Sequence, residues 1–144
     1  MVLPELRPAC ENDRQFIFES YKATLREHVE WAWGWNEAFQ RDGFWRHHPL
    51  ADFQVISAGE VNAGAMHVEL GKSCNFVRMI FLLPAYQRQG FGTALLRREV
   101  NRARKEGKSL DLKVIKSNPA KLLYDRLGFV VVEENDATYH MRSV

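Results

Sequence analysis

The sequence predicts a mixed α+β fold, in which one central, mostly antiparallel sheet is flanked by helices. Three β-rich runs at 53–57, 61–70 and 76–83 follow one another with short turns between them, which is typical of an antiparallel meander. A glycine-containing turn, a helix and another strand come next, and this order predicts a right-handed βαβ unit with parallel strands. The length of 144 residues predicts a single domain over residues 1–144.

A short strand at 3–9 comes first in the predicted order, and a helix capped by Asn12 or Asp13 follows it. The inward positions of this helix recur at helical spacing. They are Ile17, Tyr21, Thr24, Leu25, His28 and Ala32. The run at 76–83 is almost wholly apolar, which predicts a strand buried on both faces.

The second half of the chain alternates helices with strands, and Gly107 and Gly128 are expected to end its two helices. The predicted order is a turn at 87–93, a helix at 94–106, a strand at 110–115, a helix at 118–127 and hairpin strands at 129–133 and 138–141.

Composition and charge argue against several classes of protein, including nucleic-acid-binding and membrane proteins. The net charge of +2 gives no broad field for a polyanion, so nucleic acid is not an expected partner. The longest strictly apolar run, 79–84, is far shorter than the roughly 20 residues of a membrane span, so no membrane association is expected. The first eight residues contain Glu5 and two prolines instead of the apolar stretch of a signal peptide. Cys10 and Cys74 are too few for a disulfide framework or a tetrahedral zinc site, so we expect a reduced, cytoplasmic setting and no metal.

The segment 81–93 carries the clearest chemical signal. A buried strand ends at Pro84, and a loop with Gly90 and Gly92 leads directly into a helix. Glycines let backbone amides approach a ligand closely, and amides at a helix N-terminus favour anions. The pattern is typical of a pyrophosphate cradle, although a plain turn at the start of a helix has the same pattern. A dinucleotide fingerprint is excluded because it needs a small residue where Leu95 stands, and no Gly-Lys-Ser/Thr of a P-loop follows the turn.

Two motifs resemble the GCN5-related N-acetyltransferase (GNAT) family. The run 87–92, Gln-Arg-Gln-Gly-Phe-Gly, matches the family's Gln/Arg-x-x-Gly-x-Gly/Ala signature. The segment 118–129 is similar to the family's Asn…Ala…Leu-Tyr-x-x-x-Gly-Phe segment, except that Asn118 stands six residues before Tyr124, where many members have seven. The resemblance covers nearly the whole chain and implies a GNAT-like mixed sheet with the βαβ unit after the glycine turn.

The resemblance implies acetyl-CoA as the cosubstrate. Backbone amides of 88–93 would hold the pyrophosphate, and Leu82 and Leu83 would pair with the pantetheine arm as another strand would. The Leu82 amide would face the thioester oxygen, where a fixed donor stabilises the developing oxyanion. Gln87 is expected to shape the turn. The implied cofactor-binding residues are Leu82, Leu83, Gln87, Arg88, Gln89, Gly90, Phe91, Gly92, Thr93, Asn118 and Tyr124.

Tyr124 is the implied general acid, because the matching tyrosine of the family places its hydroxyl near the CoA sulfur. A phenol with a reference pKa of about 10 is protonated at neutral pH and can donate to the departing thiolate. The alternative is a core tyrosine that packs beside Leu127 and Phe129.

The sequence gives weaker evidence for the residues that would bind the acceptor amine than for those that would bind the cosubstrate. All four tryptophans lie in the segment 31–45, which Gly34 and Gly43 are expected to divide into the end of one helix and a short second helix. The resemblance puts this segment beside the acceptor cleft, where aromatic rings with Glu30 or Glu37 suit a cationic amine. Core packing or a subunit contact in a homodimer is the alternative.

An ammonium group must lose a proton before it attacks, so a base is expected near the thioester. Glu30, His67 and Glu69 are candidates, and His28 is a candidate that acts through water. His67 and Glu69 alternate with Val68, which predicts that both lie on one face of their strand. For each of them the alternative is a solvated charge or a structural histidine.

The predicted function is acetyl transfer from acetyl-CoA to a primary amine by direct attack on the thioester, with Tyr124, Leu82 and Glu30 as the catalytic set. The acceptor is a small-molecule amine or a peptide amine. One scaffold hosts many acceptors, so the sequence does not identify it. The alternative is a catalytically silent acyl-CoA-binding or regulatory module on the same fold.

Overall fold

The computed structural model describes residues 3–144, and Met1 and Val2, which begin the stretch considered above as a signal peptide, lie outside the described residues. Seven strands and four α-helices make up this part of the chain. In order they are β1 (Pro4–Pro8), α1 (Arg14–Trp33), α2 (Glu37–His47), β2 (Gln54–Ala58), β3 (Val61–Leu70), β4 (Cys74–Leu82), α3 (Phe91–Lys105), β5 (Ser109–Ile115), α4 (Lys121–Arg126), β6 (Val130–Glu134) and β7 (Thr138–Arg142).

The strands form one sheet in the order β1-β2-β3-β4-β5-β7-β6. β4 and β5 pair in parallel, and the other neighbours pair antiparallel. The predicted meander is therefore β2-β3-β4, and α3 is the crossover of the predicted βαβ unit. The mixed, mostly antiparallel sheet flanked by helices is confirmed.

Helices cover both faces of the sheet. Alternate residues of each strand point to opposite faces, so one strand can contribute to the packing on both sides. Val55 and Phe81 pack with α1 and α2 on one face. Ile56 packs with Leu95 of α3 on the other face. Val77 packs there with Leu96 of α3 and with α4. The sheet therefore has a complete core on each side.

The two parallel strands separate in the middle of the molecule. Their last paired residues are Val77 of β4 and Leu112 of β5. Beyond this point β4 continues to Leu82 alongside β3, and β5 continues to Ile115 alongside β7. One edge of the second half of β4 is thus left without a neighbouring strand, and this opening positions the candidate site.

Four glycines were expected to end or break a helix. Three of them follow the end of a helix, and the fourth does not. Gly34, Gly107 and Gly128 have φ of 84°, 70° and 90° and follow α1, α3 and α4. Gly43 was expected to break the tryptophan-rich segment, but it lies inside α2. Burial of Phe44 in the apolar cluster under α2 outweighs the roughly 1 kcal/mol that glycine costs inside a helix.

Three other boundaries and burial patterns differ from the prediction. α3 begins at Phe91 instead of Ala94, because Gly90 adopts φ of 83° directly before it. The helix predicted at 118–127 is only α4, since the residues before it form turns. β4 is not buried on both faces, because Arg78 is exposed and lies 3.6 Å from Glu69 on β3. Within residues 3–144, none of the helices combines the length and the apolar composition that crossing a membrane requires.

Candidate active site

A cavity of about 680 Å³ lies against the free edge of β4, between the start of α3, the segment through α4 and the middle of α1. Thr24 and Leu25 of α1 form its wall on one side. It brings together eight of the residues that the sequence implied for cofactor binding. These are Leu82, Gln87, Arg88, Gly90, Gly92, Thr93, Asn118 and Tyr124.

The start of α3 presents free amides to this cavity. Ala94 donates the first hydrogen bond of the helix to the Gly90 carbonyl at 3.0 Å, so the amides of 91–93 precede the intrahelical ladder. Arg88 and Gly90 both have positive φ, 61° and 83°, and this left-handed backbone turns successive amides toward one concave surface. The arrangement fits a phosphate group at a helix N-terminus.

Two glutamine side chains hold the turn in place. Gln87 Nε2 donates to the Leu82 carbonyl at 2.7 Å, and Gln89 Nε2 donates to the Ala85 carbonyl at 2.7 Å. Gln87 also lines the cavity. Its predicted role in shaping the turn agrees with this bond, and Gln89 is engaged in the same way on the other side of the turn.

The end of β4 supplies a backbone donor on its free edge. The amide of Leu83 donates to the Ala63 carbonyl of β3 at 2.8 Å. Consecutive residues of a strand direct their amides to opposite edges, so the Leu82 amide faces the opening between β4 and β5. The backbone of Leu82 therefore borders the cavity in the orientation that an oxyanion donor or a paired ligand arm needs.

Tyr124 lies at the closed side of the cavity. Its side chain is only 7% exposed and packs with Phe129, at 6.0 Å between ring centroids. Burial raises the pKa of its hydroxyl to about 12. The phenol is therefore a proton donor throughout the neutral range.

Close packing of α3 on α4 brings the cradle and Tyr124 to the same cavity. A Cβ at Gly92 would lie 3.2 Å from Leu123 Cδ2, so glycine permits this approach. Asn118 Oδ1 accepts a hydrogen bond from the Ala120 amide at 2.9 Å and fixes the turn that leads into α4. The Asn118 oxygen is thus used within the protein, while the residue still lines the cavity.

A family model for the acetyltransferase (GNAT) domain matches residues 36–144. This match spans most of the chain and includes the turn, the cradle and α4. The chain belongs to the GNAT acetyltransferase family. The resemblance seen in the two sequence motifs is confirmed.

Solved structures of GNAT proteins share the fold over nearly the full chain. The PaiA N-acetyltransferase of Thermoplasma acidophilum, in complex with coenzyme A, is 16% identical, with a TM-score of 0.73 and 97% and 98% of the two chains covered. Ard1 of Thermoplasma volcanium is 18% identical, with a TM-score of 0.70 and coverage of 98% and 97%. Arabidopsis thaliana Naa50, in complex with the bisubstrate analogue CoA-Ac-MVNAL, is 15% identical, with a TM-score of 0.66 and 99% of each chain covered. No curated protein matches this sequence.

Three implied binding residues of this GNAT chain do not line the cavity. The Leu83 amide is used in the pairing with β3. Gln89 faces the turn, and Phe91 is buried against Tyr86 with a ring separation of 6.4 Å. Their roles toward a cofactor remain predictions, and the backbone amide of Phe91 remains part of the cradle.

The tryptophans do not form one pocket. Trp31 and Trp33 are 57% and 63% exposed at the end of α1. Trp35 packs on Tyr21, and Trp45 packs on Phe44 and Phe53. Trp35 and Trp45 are half-buried against the core beneath α2, and none of the four rings is among the residues lining the cavity.

The candidate bases are dispersed. Glu30 is exposed and is not among the residues lining the cavity. It follows Leu25 by five residues, which turns it about 140° around α1 from that cavity-lining side chain. Glu30 stays a prediction that its placement does not support.

His67 and Glu69 differ in burial, since His67 is buried and Glu69 is exposed. The register between β3 and β4 shifts at this point, where Arg78 is the extra residue on β4. His67 is buried, and its Nδ1 lies 3.2 Å from Nδ1 of His48. Burial, followed by the nearby charge of Arg78, lowers the pKa of His67, although Asp52 and Glu69 oppose this shift. Neither residue borders the cavity.

Sequence reasoning missed several cavity-lining residues. Thr24 and Leu25 were recognised as inward-facing, but only the separation of β4 from β5 makes their side of α1 part of the site. Arg126 carries no sequence signal beyond a basic residue near a helix end. Leu122 and Leu123 lay inside the second motif and were assigned no role.

Proposed function

We propose that this GNAT chain is an acetyl-CoA-dependent N-acetyltransferase that transfers an acetyl group to a primary amine by direct attack of the amine on the thioester. The observation that carries the proposal is the Tyr124 hydroxyl. Its side chain is 7% exposed and lines the cavity, and burial raises the pKa of the hydroxyl to about 12. A phenol that stays protonated at neutral pH, in the same cavity as a phosphate cradle and a free strand edge, suits a proton donor.

The residues present fit acetyl-CoA. The amides of 91–93, with the left-handed turn at Arg88 and Gly90, suit the pyrophosphate. The free edge of β4 suits an extended amide-bearing arm, which would add to the sheet as a strand does. The GNAT neighbours that hold coenzyme A or a CoA bisubstrate analogue support this assignment.

Two groups of the chain would then have separate roles in the reaction. The Leu82 amide stabilises negative charge on the thioester oxygen as the amine nitrogen adds to the carbonyl carbon. As the carbon–sulfur bond breaks, Tyr124 donates its proton to the departing thiolate. The phenol is then restored by the proton that the new amide nitrogen loses.

The acceptor is a small-molecule amine or a peptide amine. A peptide is supported by the Naa50 complex, whose analogue carries a peptide portion. The exposed ring of Trp31 supports a cationic group, because a ring face attracts an ammonium ion.

The test is release of free CoA thiol by the purified chain with acetyl-CoA and a panel of small amines and short peptides. Amine-dependent release that Tyr124→Phe suppresses supports the enzyme. The alternative, a catalytically silent acyl-CoA-binding module, is favoured by one observation: the described residues lining the cavity include no carboxylate and no imidazole. Tight acetyl-CoA binding in calorimetry without amine-dependent release would establish that alternative.

A further inference from the structure

The cavity supplies a proton donor but no proton acceptor for the incoming amine. The ionisable side chains among the described residues that line it are Arg88, Arg126 and Tyr124. Guanidinium groups stay protonated, and the phenol is the donor in the proposed reaction. A side chain that takes the first proton from an acceptor ammonium would therefore lie outside this set of cavity-lining residues.

His28 lies beside the cavity. It follows Thr24, which lines the cavity, by four residues, so the two side chains are neighbours on the same face of α1. Its Nδ1 lies 2.8 Å from Ser117 Oγ, and the next residue, Asn118, lines the cavity. The half-buried imidazole therefore spans from α1 to the segment between β5 and α4.

The contact with Ser117 suits a base. When Nδ1–H donates to Ser117 Oγ, the ring is held in the tautomer whose Nε2 carries a free lone pair. Trp31 follows His28 by three residues on the same helix surface and is 57% exposed. An aromatic face and a lone pair are then adjacent at the place where a cationic amine would enter.

The other candidates face elsewhere. Glu30 projects about 140° around α1 from cavity-lining Leu25. His67 is engaged with His48 under α2, and Glu69 lies 3.6 Å from Arg78.

We propose that His28 is the general base that takes the proton from the acceptor ammonium, and that Ser117 is the positioning residue that holds its ring. This inference rests on the proposed acetyltransferase function. His28 accepts one proton, and the neutral amine nitrogen forms its bond to the thioester carbon while the carbon–sulfur bond breaks. Tyr124 protonates the sulfur and regains a proton from the amide nitrogen. His28 finally releases its proton to solvent, so one proton is produced for each amide formed.

The charged groups near the contact belong to the segment before α4, to β6 and to α1. Lys116, beside Ser117, is 2.7 Å from the Glu134 carboxylate on β6, which offsets its charge. On α1, Glu27 and Glu30 flank His28, and the guanidinium of Arg26 lies over the Trp35 ring at 5.4 Å. Neither of these two carboxylates on α1 is a helical neighbour of the imidazole, because residues one or two positions apart point to different sides of a helix.

The test compares pH profiles of kcat/KM for one amine in wild type, His28→Gln and Ser117→Ala. His28→Gln is expected to lose on the order of 100-fold at pH 7, the usual scale for a general base. The loss should shrink toward about pH 10, because solution then supplies the free amine. Added imidazole should restore part of the activity at pH 7. Ser117→Ala should lower kcat several-fold, and Ser117→Thr, which keeps the hydroxyl, should recover it.

His47→Gln is the matched control, since His47 is exposed on α2 outside the cavity. It should keep the wild-type profile. Acetyl-CoA affinity should be the same in all these variants. A wild-type profile in His28→Gln, or a loss of equal size at every pH, would overturn the base assignment while leaving the enzyme intact. Absence of amine-dependent turnover in the wild type would overturn the proposed function and, with it, this role of His28.

Discussion

The side chain of Gln87 donates a hydrogen bond to the backbone carbonyl of Leu82, with 2.7 Å between Nε2 and the oxygen. This bond joins the turn that precedes the cradle to the end of β4, and both residues line the same cavity. The position of the cradle is therefore coupled to the position of the Leu82 amide. Holding two such groups in register before the ligand binds reduces the cost of ordering them afterwards.

Gln87→Glu should weaken acetyl-CoA binding by up to about tenfold. The substitution keeps the length of the side chain but replaces the donor with a carboxylate that faces a carbonyl oxygen, and one such bond contributes about 0.5–1.5 kcal/mol. Calorimetry of acetyl-CoA binding measures the effect. Gln15→Glu, exposed on α1, adds the same charge away from the cavity and should bind as wild type does. Equal affinity in the two variants would show that the bond does not organise the turn.

Gly90→Glu should abolish acetyl-CoA binding. Gly90 has φ of 83°, and a Cβ there meets no atom within 4 Å, so the side chain would enter the space in front of the cradle with its negative charge. The strained backbone costs about 1 kcal/mol for any L-residue. Gly59→Glu carries the same strain, with φ of 66° and open space, on the turn between β2 and β3. If both variants lost stability alike and both still bound acetyl-CoA in calorimetry, the cradle would be disproved.

The element order was predictable because local signals agreed with one another. Glycines marked most turns, and the meander and the βαβ unit follow from strand spacing and chain order alone. Gly43 is an exception to this agreement. Its low helix propensity predicted a break, but α2 continues through it because Phe44 is buried in the core. No local pattern reports how well a neighbouring side chain will be buried.

The sequence predicted the parts of the candidate site that lie within one continuous motif. It predicted poorly the parts that depend on residues far apart in the sequence. The glycine turn and Tyr124 lie within contiguous motifs, so their approximate roles could be inferred. His28 and Ser117 are 89 positions apart and meet only because β4 and β5 separate beneath α1. Glu30 was selected for its nearness in sequence to the tryptophans, and the helical turn directs it away from the cavity.

Tyr124→Phe should lower kcat by on the order of 100-fold or more while acetyl-CoA affinity stays nearly unchanged. The ring remains to pack against Phe129, and the lost hydroxyl has no described hydrogen-bond partner, so thermal stability should be retained. Because burial raises the pKa of Tyr124 to about 12, the wild-type kcat should show no loss from this group up to about pH 10. Tyr139→Phe on β7 is the control and should keep full turnover. Full turnover in Tyr124→Phe would make the tyrosine a packing residue.

Gly43→Ala and Gly64→Ala should change stability in opposite directions. A Cβ at Gly43 meets no atom within 4 Å inside α2, so alanine should raise the free energy of unfolding by about 0.5–1 kcal/mol. A Cβ at Gly64 would lie 2.0 Å from the Phe81 carbonyl oxygen, so β4 would have to move beside Leu82. That variant should be destabilised and should bind acetyl-CoA more weakly. Urea denaturation with calorimetry measures both effects, and a stable, fully binding Gly64→Ala would contradict the close approach.

The paired histidines under α2 should make the fold lose stability as the pH falls from about 6.5 to about 4. Burial, with the neighbouring His67, lowers the pKa of His48 to about 4, against an ordinary value near 6.5. In this window the unfolded chain binds a proton at His48 that the folded chain does not bind, so the free energy of unfolding decreases with falling pH. His67 contributes in the same direction, because burial also lowers its pKa. Asp13, whose pKa Arg7 lowers by hydrogen bonding, begins to contribute below about pH 5.

His48→Asn tests this origin, because its side-chain amide can still reach toward His67 but does not titrate. The slope that one histidine contributes is at most about 1.4 kcal/mol per pH unit. His48→Asn should therefore lose less stability than wild type between pH 6.5 and 4, when urea denaturation is followed at closely spaced pH values. His47→Asn, one residue away and exposed, should follow the wild-type curve. Identical curves for wild type and His48→Asn would show that His48 is not the group that titrates, and the loss would then belong to His67 or to the carboxylates.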